Sequence, residues 1–252
     1  MPSLPLFGRR DAIAASLSAF AVATFVREAR GATRAGRVAA WIDGQQDIAE
    51  SLARGRISGL AWAQEVERLA REVDVAELMA ALRSARVVPA GRGSHNDPFK
   101  RNIRFLAPDG TPRRLTYGAA LFDFSPDNVI TPHGHRHMVS AHLVVAGRLR
   151  VRNFDRIADE DGAMLIRPTR DYRAGVGAAS TMCGERDNIH WFVPVGGPAT
   201  TFDVVVSGLD PGAPDHLIQA IDPVRAERRG DGTLRAPIIG FAEASRLYTA
   251  GI

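Results

Sequence analysis

The chain has 252 residues, a formal net charge of +4 and a single cysteine, Cys183. Its hydrophobic fraction of 45% and charged fraction of 24% are ordinary for a globular protein, which excludes the disordered and fibrous classes. One cysteine excludes an intramolecular disulfide and a cysteine-based zinc site, so metal chemistry must use histidine and oxygen ligands. The arginines are spread along the chain without an aromatic-basic recognition pattern, so we expect no nucleic-acid partner.

The first residues have the layout of an export signal. Adjacent arginines, Arg9 and Arg10, precede an uncharged stretch from Ala12 to Val26, and small residues follow near residue 31. That stretch is short for a membrane-spanning helix, which needs about 20 apolar residues. We predict that residues 1–31 are a twin-arginine signal peptide of an exported, periplasmic protein, with no stable membrane anchor after signal removal. The alternative is an alanine-rich amphipathic helix that stays attached.

Residues 32–90 are predicted to form a helical region that packs on the outside of the following domain. Apolar residues recur there at three- and four-residue intervals. Ser58 is a candidate N-cap for a helix that begins at Gly59, and Asp74 is a candidate cap for the next helix. Glycines, the first of them Gly44, interrupt the pattern, which therefore predicts three short helices.

From residue 91 onward the apolar residues alternate with polar ones, as is typical of strands. Many short strands at nearly even spacing, separated by Gly, Pro and Asp turns, predict an antiparallel sandwich or barrel. Turn signals lie at Pro108 to Thr111, at Ser125 to Asn128 and at Gly147. The sequence contains no glycine-rich phosphate loop, internal repeat or nucleophile elbow.

A cluster of histidines precedes one of these strands. Four of the 7 histidines lie between His133 and His142. His133 and His135 are two residues apart, so on a strand they share a face and are about 6.6 Å from each other. Two imidazoles on one face can bind a single cation if further ligands come from elsewhere in the fold. His190, at the start of a later predicted strand, is the candidate third ligand.

Other roles for the histidines stay open on these observations alone. The three candidate ligands could instead be polar residues at a barrel mouth, and His137 is typical of a solvated residue. His142 would share a strand face with Ser140. It is a candidate fourth ligand, a candidate base and a candidate substrate contact.

The spacing of these residues resembles a known family. His133-x-His135, followed by Ser140 after four residues and Gly147 after six more, resembles the first cupin motif, whose usual form has glutamate in place of Ser140. His190 and the strand behind it resemble the second cupin motif. The resemblance implies a mainly β fold, a cupin (double-stranded β-helix, jelly-roll) barrel over residues 91–252, with the N-terminal α-helical region before it.

Within the cupins the chain is most similar to the thiol dioxygenases, namely cysteine dioxygenase, plant cysteine oxidase and cysteamine dioxygenase. The glutamate ligand is absent, Met138 lies three residues after His135 as in the plant and cysteamine enzymes, and Asp187 to Val204 resembles their third-histidine strand. The resemblance implies a mononuclear Fe(II) site on His133, His135 and His190. It also implies oxidation of a small-molecule thiol to a sulfinate by O₂.

We predict His142 and Tyr117 as catalytic residues, whereas the family's substrate-binding arginine and tyrosine have no clear match. Further candidates on neighbouring predicted strands are Arg104, Arg167, Tyr172 and Arg173.

Two alternatives to the dioxygenase remain. The first is a non-oxidative lyase or isomerase that uses zinc, nickel or manganese, with His142 as general base. The second is a non-catalytic cupin that binds a metal or a small ligand.

Overall fold

The computed structural model describes residues 34–83, 85–91, 96–213 and 217–249. The predicted signal peptide lies outside the described residues. Within these ranges, three helices come first, α1 (Arg34–Ala53), α2 (Gly59–Glu72) and α3 (Val75–Leu82). None of the described helices is both long enough and apolar enough to cross a bilayer.

Two helices begin at the caps that the sequence predicts. The Ser58 hydroxyl accepts a hydrogen bond from the Ala61 N–H at the start of α2. The Asp74 carboxylate accepts one from the Glu77 N–H at the start of α3. Each cap satisfies an N–H group that would otherwise lack a partner in the first helical turn.

The rest of the described residues contain thirteen strands and one more helix. The strands are β1 (Arg86–Gly91), β2 (Phe99–Arg104), β3 (Gly118–Phe124), β4 (Ile130–Arg136), β5 (Met138–Ala146), β6 (Leu149–Glu160), β7 (Ala163–Ala174), β8 (Ala179–Met182), β9 (Ile189–Pro194), β10 (Ala199–Ser207), β11 (Leu217–Ile221), β12 (Glu227–Arg228) and β13 (Leu234–Ile239). Helix α4 (Phe241–Leu247) follows the last strand.

Two boundaries differ from the prediction. α1 runs through Gly44 without a break, because an interior glycine costs only about 1 kcal/mol relative to alanine and the adjacent Trp41 and Ile42 are buried in the core. Residues 86–90, assigned to the helical region, belong instead to β1, which pairs with β2 at the edge of a sheet.

The strand pairing defines the barrel. Four antiparallel pairs are nested, β3 with β10, β4 with β9, β5 with β8 and β6 with β7. They alternate between a six-stranded sheet, β1-β2-β3-β10-β5-β8, and a seven-stranded sheet, β11-β4-β9-β6-β7-β13-β12. A ribbon of paired strands wound in this way is a double-stranded β-helix, or jelly roll. The predicted mainly β fold, a double-stranded β-helix (jelly-roll) barrel with a helical region before it, is confirmed.

The two faces of the six-stranded sheet have different neighbours. On β5, Val139, Ala141 and Leu143 face outward and join the apolar core formed with α1, α2 and α3. Ser140 and His142, on the alternate positions, line a cavity inside the barrel. The helices therefore cover the outer face, and the polar residues of this strand are directed toward the barrel interior.

Candidate metal centre

Two neighbouring strands present the three histidines. His133 and His135 lie on β4, and His190 lies on β9 directly opposite His133 in the strand register. Each residue offers one ring nitrogen, and the three nitrogens lie within 4.8 Å of one another. A metal ion bound at about 2.1 Å from each nitrogen requires such convergence. The three histidines could therefore hold a single metal ion.

Hydrogen bonds orient these rings. The Nδ1–H of His133 donates to the Thr131 carbonyl oxygen at 2.7 Å, which turns Nε2 toward the other histidines. Nε2 of His133 and Nε2 of His190 face each other at 3.2 Å. Nδ1 of His135 contacts Sδ of Met138 at 3.0 Å. Two imidazole lone pairs repel each other at this separation unless a proton or a cation lies between them, so the donor set fits a cation.

Burial keeps the imidazoles of His133 and His190 uncharged. It lowers the pKa of His133 to about 4, although the hydrogen bond to Thr131 opposes the shift. Burial lowers the pKa of His190 well below its ordinary value, and the neighbouring imidazoles of His133, His142 and His135 add to the effect. Neutral imidazole is the form that binds metal ions, so a metal does not have to displace a proton from these two rings at pH 7.

The segment before His190 holds the two ligand strands together. The main-chain oxygen of Asn188 accepts a hydrogen bond from the His135 N–H at 3.1 Å. The Asn188 side chain accepts from the Arg156 N–H at 2.8 Å and donates to the Gly184 carbonyl at 3.1 Å. Asn188 therefore fixes β4 and β6 relative to β9 at the level of the histidines.

The histidines lie in the wall of a cavity of about 630 Å³. A volume of this order is typical of small-molecule sites. Apolar side chains contribute much of the wall, among them Phe122, Ile130, Met138, Ile218 and Phe241. A small ligand in this cavity would meet polar atoms at the histidines and apolar side chains over much of its remaining surface.

His142 lies beside the three-histidine cluster and is held by a carboxylate. Its Nδ1–H donates to Oδ2 of Asp203 at 2.6 Å, and the two residues are directly opposite each other on β5 and β10. Nε2 of His142 lies 3.2 Å from the Ser140 hydroxyl, which donates to it in this tautomer. The ring centroids of His142 and His190 are 4.8 Å apart, but the three converging nitrogens do not include His142.

Tyr117 is not brought to the histidines. Tyr117 lies just before β3 and packs in the core formed with the helices, as Leu121 within the strand does, whereas Phe122 lines the cavity. Its hydroxyl donates to the Ile42 carbonyl oxygen of α1 at 3.4 Å. Burial raises the pKa of this phenol. Strand alternation places Tyr117 on the outer face, so the structure gives no support to its predicted catalytic role.

We expect Tyr117→Phe to leave metal content and turnover within about twofold of wild type, because the partner of the hydroxyl among the described residues is the Ile42 carbonyl on α1, away from the histidines. Losing that hydrogen bond costs roughly 1 kcal/mol of folding free energy. Thermal unfolding and steady-state kinetics measure the two effects separately. A tenfold loss of turnover at unchanged stability would show that the Tyr117 hydroxyl takes part in catalysis.

The other predicted candidates for substrate binding do not line the cavity either. None of the four, Arg104, Arg167, Tyr172 and Arg173, is among the described residues that line the cavity. The three arginines are exposed on the surface. Among the described lining residues, Lys100 is the one lysine or arginine side chain.

Comparison with known proteins gives partial likenesses in structure. No protein-family model matches the sequence, and no curated protein matches it either. KdgF from Halomonas sp. matches 48% of this chain over 84% of its own, at 17% identity and a TM-score of 0.30. CapF from Staphylococcus aureus matches 52% of this chain and 34% of its own, at 19% identity and a TM-score of 0.33.

A structure of oxalate oxidase is a further example. It matches 45% of this chain, at 17% identity and a TM-score of 0.33. The match covers 53% of oxalate oxidase.

Proposed function

We propose that this protein is a mononuclear metal-dependent dioxygenase that converts a small thiol to a sulfinate. The observation that carries the proposal is a donor set of three histidines, without a carboxylate, in the wall of a cavity of small-molecule size. The reaction is R–SH + O₂ → R–SO₂H. Both oxygen atoms enter the product and the sulfur supplies the electrons, so no further reductant is required.

The charge of the donor set favours an anionic substrate group. Three neutral imidazoles leave the full positive charge on a divalent ion, whereas a glutamate ligand would neutralise part of it. When bound, Fe(II) supplies coordination positions for a thiolate and for O₂, together with electron transfer between them. His133, His135 and His190 would hold it.

The surrounding residues have three tasks in this reaction. The hydrogen bond from His133 to Thr131 keeps one ligand ring in its orientation. Apolar side chains such as Phe122 limit the access of water to the site. A thiol loses its proton when it becomes a thiolate, and Nε2 of His142, on the cavity wall, is a candidate acceptor whose ring Asp203 holds in place.

The test is metal analysis of the purified protein, followed by oxygen uptake. We expect near-stoichiometric iron and O₂ consumption with at least one of cysteine, cysteamine and 3-mercaptopropionate, with the sulfinate detected by mass spectrometry. Iron-loaded protein that consumes no O₂ with any of the three would overturn the proposal.

A second candidate is a non-oxidative reaction such as a lyase or isomerase reaction. The hydrogen bond of 2.6 Å between His142 and Asp203 favours it, because a histidine oriented by a carboxylate is a common general base. This candidate predicts zinc, nickel or manganese in place of iron and no dependence on O₂. A protein that binds a metal but turns over no substrate would be a binding module instead.

A further inference from the structure

The charged side chains around the cavity differ in how deeply they lie. Asp203 is 1% exposed, whereas Lys100 is exposed and Asp97 is partly exposed. All three line the cavity, and no arginine does so among the described residues. The buried charge of the wall is therefore negative.

The carboxylate of Asp203 lacks one hydrogen-bond donor. Its Oδ2 atom accepts from His142, but its Oδ1 atom is buried and has no hydrogen-bond partner among the described residues. Its one ion-pair contact there is with His142. A buried carboxylate oxygen without a donor is costly, and most such atoms in folded proteins have a partner.

Lys100 does not offset this charge. Its ammonium group lies 5.6 Å from the ring centroid of Phe122, and its side chain is exposed to solvent. Water and salt screen a charge at such a position much more strongly than a buried one. Of the protein's own charged side chains, Lys100 would therefore attract a substrate carboxylate only weakly, and Asp203 would repel it.

The negative charge lies close to the three-histidine cluster. His142 joins Asp203 to this cluster, since its ring contacts that of His190 and its Nδ1–H donates to the carboxylate. A short substrate whose thiol lies at the histidines would place the group on its next carbons within the field of Asp203.

We infer that the substrate is a small aminothiol, with a protonated amine and no carboxylate, and that Asp203 selects it. This inference rests on the proposed function, because it assumes that a thiol binds at the three histidines. The amine is attracted by the carboxylate and can donate to the polar atoms of the Ser140, His142 and Asp203 group. Asp203 is thus a specificity-determining residue.

The experiment compares three thiols that differ in one group. Cysteamine carries an amine, 3-mercaptopropionate a carboxylate and 2-mercaptoethanol a neutral hydroxyl. We expect kcat/KM for cysteamine to exceed that for 3-mercaptopropionate by at least roughly tenfold. In Asp203→Asn, which can still accept the hydrogen bond from His142, the ratio of cysteamine to 2-mercaptoethanol should fall by about tenfold. Lys100→Met is the matched control and should leave this ratio unchanged.

A binding measurement separates this inference from the proposed function. Calorimetry under nitrogen on the metal-free protein should show tighter binding of cysteamine than of 3-mercaptopropionate, and loss of that difference in Asp203→Asn. Selective amine binding without O₂ uptake by the iron-loaded protein would support the charge selection and overturn the dioxygenase. Turnover of 3-mercaptopropionate in preference to cysteamine, reduced in Lys100→Met, would overturn the aminothiol and keep the dioxygenase.

Discussion

Replacing His190 by alanine is expected to abolish both metal binding and turnover. His190 is the one member of the cluster on β9, and it faces His133 across the strand pair with Nε2 atoms 3.2 Å apart. Its removal leaves two imidazoles, both from β4. Since changes in residues that merely orient metal ligands cost roughly 10- to 100-fold in affinity, loss of a ligand should cost more than that. Mass spectrometry of the metal content and oxygen uptake measure the two effects.

The matched control is His137→Asn. His137 belongs to the same histidine-rich segment but lies between β4 and β5, with Nδ1 3.4 Å from a carboxylate oxygen of Asp210. Its φ of 60° is better tolerated by asparagine than by alanine. This variant should keep its metal and its activity, and circular dichroism should show both variants folded. Stoichiometric metal in a folded His190→Ala protein would remove His190 from the ligand set.

The site residues that could be predicted from sequence are those whose placement follows from local spacing. His133 and His135 share a strand face because a strand repeats every two residues. The same alternation puts Ser140 and His142 together, and the structure places a hydrogen bond between them. Tyr117 could not be placed by the same argument, because Leu121 and Phe122 are both apolar although they lie on opposite faces of β3.

Contacts between distant strands could not be predicted in this way. Asp203 reaches His142 across 61 positions of sequence, and the pairing depends on the register of β10 against β5. A shift of one residue in that register would remove the contact. Asn188 presents the same difficulty, because its main-chain contact to His135 depends on how β9 enters the sheet.

The start of the first strand, β1, could not be predicted from the sequence either. This strand is exposed at five of its six positions, including Val87 and Val88. With both faces open to solvent it has no alternation of apolar and polar residues, so a periodicity argument cannot detect it. It is a strand because β2 supplies hydrogen-bond partners.

Gly147→Ala is expected to destabilise the barrel strongly. Gly147 follows β5 in the turn to β6, with φ at +70°. A Cβ atom there would lie 2.2 Å from the Pro198 carbonyl oxygen and 2.7 Å from Cα of Ala199, both in backbone that must move to make room. We expect the free energy of unfolding to fall by roughly 3 kcal/mol, from the left-handed backbone and the clash together. The corresponding fall in Tm is about 6 to 12 °C.

Gly162→Ala separates these two contributions. Gly162 follows β6 in the turn to β7 with φ at +64°, and a Cβ atom there would meet nothing within 4 Å. This variant carries the backbone cost alone, about 1 kcal/mol. Urea denaturation of both variants yields the difference, which is the cost of displacing the Pro198 segment. Equal losses would show that the β9–β10 turn moves freely, and the glycine of the first motif would then be required only for its backbone conformation.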